Sequence, residues 1–234
     1  MTATLPIRDI GDAKLADQLQ QGGCPLCRVR EDAAQRFLDA VLWESVNDVG
    51  FRARFARGRG FCRRHSTEVL AKSRAEGQLT GGAILLGAAL RVHLSEVEAL
   101  LARRRGRSEV ARARKPADCP VCEQMSIAER AASETLIGKL EDPAWTSAVA
   151  STELCLEDLL VIWQVALQRG STAWPAVATI QVTRIRDLAD RLDGLAHHSS
   201  FDRRHLQTDA ERLAPEEAAR FLGGSDGGTG RPGT

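Results

Sequence analysis

Apolar residues recur along this chain at spacings of three and four, and the alternation by two that marks strands is almost absent. Phe37, Leu38, Val41 and Leu42 make one such stripe, and Ala, Leu, Arg and Glu dominate the texture throughout. The pattern predicts helices over about 12–21, 26–46, 49–57, 62–78 and 82–105, then about 120–140, 143–150, 153–169, 175–196 and 215–222. With no tyrosine and few other aromatics, the chain reads as all-α. Trp43, Trp145, Trp163 and Trp174 are expected to anchor the core.

A second periodicity is longer. CPLC at Cys24 and Cys27 precedes FCRRH at Cys62, and CPVC at Cys119 and Cys122 precedes LCLED at Cys155. The intervals between second and third cysteine are 34 and 32 residues, and all six cysteines are used. Self-similarity at a fixed interval predicts two tandem homologous helical units packed together. The expected boundaries are 1–105 for the first unit, 106–118 for a basic linker, 119–222 for the second unit with its C-terminal helices, and 223–234 for a flexible Gly-rich tail.

Two thiols three apart, followed by a third with another ligand type three residues further on, fit a tetrahedral metal site. Within each repeat the spacing predicts Cys24, Cys27, Cys62 and His65 as a first site. Cys119, Cys122, Cys155 and Asp158 follow as a second, weaker one, because a carboxylate is shorter and harder than imidazole. Asp158, a water, or no metal at all are the three outcomes for its fourth position. Glu123, His93, His197, His198 and His205 are substitutes, the histidines reading as surface residues. Zinc is the expected metal, one or two ions, and an iron–sulfur cluster is the alternative.

The motifs resemble those of an uncharacterised bacterial family of two-repeat cysteine proteins, a domain of unknown function that carries CPxC, GFCxxH, CPxC and GLCLPH. The likeness extends over most of the chain and takes in the C-terminal FDRRHLQTDAERLAPEEAARFLGG. Asp158 stands where that family's pattern has histidine. The resemblance implies no activity.

Composition narrows the rest. A formal charge of +1 gives no overall pull towards nucleic acid or an anionic membrane. Arg103–Lys115 carries seven basic residues against Glu109 and is a candidate nucleic-acid contact, though it reads first as a solvated helix end. The apolar stretch 83–101 is broken by Arg91, His93, Glu96 and Glu98 and reads as a core helix rather than a membrane span. The N-terminal segment is too charged for an export signal, so a cytoplasmic location and free or metal-bound thiols are expected.

No catalytic constellation is legible. His65-Ser66-Thr67 and His93-Leu94-Ser95 lack the glutamate of a zinc deaminase, and no strand precedes either CxxC as a thioredoxin-like site requires. The favoured expectation is a non-enzymatic, zinc-stabilised interaction or regulatory module with an unnamed protein partner. A thiol–zinc redox sensor, a nucleic-acid binder and an iron–sulfur protein are the alternatives.

Overall fold

The computed structural model describes residues 5–103, 110 and 118–223. Among them all the regular secondary structure is helical: α1 (Ile10–Gln20), α2 (Pro25–Ala40), α3 (Val49–Arg57), α4 (Arg63–Ala75), α5 (Leu79–Arg103), α6 (Pro120–Lys139), α7 (Pro143–Ser151), α8 (Leu156–Arg169), α9 (Trp174–His197) and α10 (Asp209–Gly223). One π-helical turn, Val41–Ser45, continues α2, and a 3₁₀ turn, Arg204–Leu206, precedes α10. No strand occurs among the described residues.

The helix starts follow local chemistry. Asp9, Asp48 and Asp142 accept backbone N–H bonds from Asp12 (2.8 Å), Phe51 (2.9 Å) and Ala144 (2.8 Å), satisfying donors that the first turn leaves open. Pro25, Pro120 and Pro143 open α2, α6 and α7, where a missing N–H costs nothing. Gly170 ends α8 in the left-handed conformation, φ 62°.

The described residues divide into two compact units that do not follow the expected boundaries at 105 and 119. A terminal unit comprises the chain up to Val29 and from Glu129 onward, and a central unit comprises Arg30–Ala128. The division falls inside α2 and inside α6. Leu26 at the start of α2 belongs to the terminal unit's core, whereas Ala34 and Leu38 belong to the central unit's. On α6 Val121 lies in the central core, and Leu136 and Ile137 lie in the terminal one. Each repeat therefore contributes to both cores, because its helix after CPxC is long. At 1.5 Å per residue, the stretch from Cys27 to Ala40 carries the chain about 20 Å.

The terminal core is built on Trp145, Val149, Ile162, Trp174 and Val177, with the Trp145 indole N–H donating to Pro6 O at 3.2 Å. Asp12, fully buried, accepts from Lys139 and joins α1 to α6. The central core gathers Leu38, Val41, Val69 and Leu85 around an edge-on Phe55–Phe61 pair, 4.6 Å between centroids.

Two expectations need correction. Trp43 is 63% exposed, because it sits on the π turn with its indole N–H donating to Glu76 at 3.2 Å, and Trp163 is also exposed at 40%. Only the first half of α5 is a core helix: Leu85 is buried, whereas Leu90, Leu94, Val97 and Leu101 are exposed. The basic linker and the Gly-rich tail, apart from Arg103, Val110, Asp118 and Gly223, lie outside the described residues. No helix is long and apolar enough to cross a membrane among the described residues.

Candidate metal centres

All eight predicted ligand residues gather into two groups of four, but with exchanged partners. Cys24 and Cys27 meet Cys155 and Asp158 in the terminal unit. Cys62 and His65 meet Cys119 and Cys122 in the central unit. The pairing expected within each repeat is thus corrected to a pairing between repeats. Glu123 is exposed and joins neither group.

One local device makes all four half-sites. Cys24, Cys62, Cys119 and Cys155 each stand immediately before a helix, and Cys27, His65, Cys122 and Asp158 occupy the third position inside it. That is the geometry of a capping box, in which the side chains before the helix and at its third residue turn towards each other. Consistent with it, Asp158 N–H points at Cys155 Sγ at 3.5 Å. Each group is therefore made by two helix N-termini, α2 with α8 and α4 with α6, whose partial positive charge favours thiolate and carboxylate.

In the central group His65 Nδ1 lies 3.3 Å from each of Cys62, Cys119 and Cys122, and the Cys62 and Cys122 sulfurs are 3.8 Å apart. A tetrahedral ion with bonds of about 2.3 Å to sulfur and about 2.0 Å to nitrogen sets S···S edges of about 3.8 Å and S···N edges of about 3.5 Å. The Cys62–Cys122 edge matches, and the three S···N edges fall short by about 0.2 Å. With Nδ1 turned inward, His65 Nε2 faces outward, 3.8 Å from Glu68 Oε2, and neither atom has a hydrogen-bond partner. Glu68 is held by Arg64 Nε, which also brings its guanidinium to Glu31 at 2.7 Å.

In the terminal group Asp158 Oδ2 takes the histidine's place, accepting from the thiols of Cys24 at 2.9 Å and of Cys27 and Cys155 at 3.2 Å. Cys27 and Cys155 sulfurs are 3.6 Å apart. These S···O distances are shorter than the edge of about 3.6 Å that a zinc tetrahedron would set, so the group would open by about 0.4–0.7 Å around an ion. All four residues are buried, whereas Cys62 and Cys122 of the central group are half-buried.

No disulfide is formed, although sulfurs approach to 3.6–3.8 Å. The thiols instead share charge. The hydrogen bond from Cys122, together with His65, pulls the Cys119 thiol down to about 3, and the same bond, with burial, pushes Cys122 up. In the terminal group the bonds to Cys155 and Cys27, burial and the Asp158 charge push Cys24 up. A divalent ion would reverse this, since it binds thiolates and expels their protons.

The segment carrying Cys155 is fixed from behind. Gln181, buried on α9, donates to Val149 O at 3.3 Å and Thr152 O at 3.0 Å, and Arg184 donates to Thr152 O at 2.8 Å. On the central side Gly60 has φ 86°, and a Cβ there would meet the Ala89 Cβ at 2.5 Å. Only glycine lets the chain pass α5 so closely just before Phe61 and Cys62. Sequence reasoning missed Glu68 and Gln181, which belong to no motif and are recognised only by what they face.

Residues 3–115 match the model of a family described as a family of unknown function (DUF6062). The matched segment contains Cys24, Cys27, Cys62 and His65 and ends before Cys119, so it covers the first repeat rather than most of the chain. No curated protein and no solved structure matches the chain.

Proposed function

We propose that this is a zinc protein without catalytic activity, in which one ion in each group fastens the two repeats to each other and leaves the outer helical faces for a protein partner. The observation that carries the reading is the convergence of two sets of four ligand atoms, each set within 4.8 Å, at four helix N-termini. Such closed Cys₃His and Cys₃Asp sets favour a structural ion, because no fourth position is left for substrate. The same compactness argues against an iron–sulfur cluster: ligand atoms this close surround one ion and leave no room for bridging sulfides.

The ions would act as clips of long range. Cys27 and Cys155 are 128 residues apart, and His65 and Cys119 are 54 apart. Linking distant segments removes closure entropy from the unfolded chain, and each doubling of loop length adds about 0.6 kcal/mol. Binding energies of about 10–16 kcal/mol for structural zinc make each clip large against the stability of a domain.

Elemental mass spectrometry on the full chain, purified without a metal-affinity tag, tests this. Two zinc ions per chain are expected, falling to one in Cys62→Ser and to one in Cys155→Ser. Iron with labile sulfide would replace zinc by a cluster, and protein free of metal would overturn the reading.

A further inference from the structure

The second half of α5 carries an apolar seam that the central core does not use. Leu90, Leu94, Val97 and Leu101 are 68, 54, 51 and 77% exposed. Their spacing of four, three and four is that of the inward positions of a coiled coil, repeated over about three turns of helix. Exposed apolar residues scattered singly mean little, but four in heptad register on one helix form a continuous strip.

The charges beside the strip say what covers it. Arg91 directly follows Leu90, and Glu98 directly follows Val97, so both flank the seam on the same side. Both side chains are exposed and neither has an ion-pair partner among the described residues. In an antiparallel pair of such helices Leu90 packs against Leu101 of the other copy and Leu94 against Val97. That register sets Arg91 beside Glu98 of the other copy, twice, by symmetry. In a parallel pair Arg91 would face Leu86 and Glu98 would face His93, leaving no such match.

We propose that α5 pairs with α5 of a second copy of this chain as a short antiparallel coiled coil, locked by reciprocal Arg91–Glu98 contacts. The seam spans eleven residue steps, about 16 Å, and buries less than the roughly 800 Å² per partner of a standard interface. Association is accordingly reversible and concentration-dependent, and it is independent of the metal sites.

Sedimentation velocity on the metal-loaded full chain, from about 1 to about 200 μM, reads this directly as a reversible interface of this size requires. The expected result is a monomer–dimer equilibrium that Leu94→Asp abolishes, with helix content and metal stoichiometry unchanged because Leu94 is on the surface. Arg91→Glu and Glu98→Arg should each raise the dissociation constant about tenfold, since each replaces attraction by repulsion twice over. The double variant should restore it. A monomer throughout the range would overturn the proposal, as would a dimer indifferent to Leu94→Asp or a double variant no tighter than the singles.

Discussion

Asp158 Oδ2 and Cys24 Sγ lie 2.9 Å apart although 134 residues separate them in the chain. The contact joins the CPxC of the first repeat to the LCLED of the second, and its counterpart joins His65 to Cys119. Metal content can therefore distinguish exchanged from repeat-internal pairing. Cys24→Ser with Cys155→Ser in one chain removes two ligands of the same group, so one ion should remain. Repeat-internal pairing would lose both ions in that double variant. Conversely Cys24→Ser with Cys62→Ser should abolish both sites, where repeat-internal pairing would spare one.

The exchange was not legible in the sequence, and the reason is combinatorial. A CxxC from either repeat combined with either Cys62/His65 or Cys155/Asp158 supplies three thiols and a fourth ligand, so spacing and chemistry fit both pairings equally. What decides is the length of α2 and α6, each of which places residues in two cores. The ligands themselves were legible because their positions, before a helix and at its third residue, repeat four times. The helices were legible to within a few residues from apolar periodicity, except α10, which starts at Asp209 and carries Pro215 inside it rather than at its start. Trp43 shows another limit: its indole reaches Glu76 rather than a core.

Glu68 should tune the central site without binding metal. Its carboxylate stands 3.8 Å from His65 Nε2, and Arg64 keeps it there. A carboxylate behind a ligating imidazole fixes the ring and raises its basicity, and its loss costs about 10–100-fold in metal affinity. Glu68→Ala should weaken one zinc of two by that factor in a chelator competition, with the terminal site unchanged. Glu68→Gln should recover part of the loss, because an amide oxygen at the same place can close on Nε2–H as the carboxylate would once the ring is fixed on the ion.

Gly60→Ala should be costly at the same site. The substitution forces a side chain into φ 86° and drives its Cβ against Ala89 and Phe55, so the Phe61–Cys62 segment must shift. Strain of this kind costs about 1–3 kcal/mol. Thermal unfolding should show a lowered midpoint, and zinc should dissociate faster from the central site than from the terminal one. Gly170→Ala, also at positive φ but with nothing within 4 Å, separates the two effects: it should destabilise without selective metal loss.

Acid should reveal the Asp12–Lys139 link between α1 and α6. The hydrogen bond from Lys139, reinforced by Arg8 N–H at 2.9 Å, holds the Asp12 carboxyl below the usual carboxylate range. A group depressed in the folded state binds its proton more readily when unfolded, so its contribution is complete above the unfolded value of about 3.9 and vanishes as pH falls through the folded one. Asp12→Asn should therefore be less stable than the parent at pH 7, with the gap closing below about pH 4 as the parent's own carboxyl is protonated. Metal release is common to both proteins and cancels in the difference, which denaturant titration at a series of pH values measures. A gap that stays constant down to pH 2 would show that Asp12 acts through packing rather than through its charge.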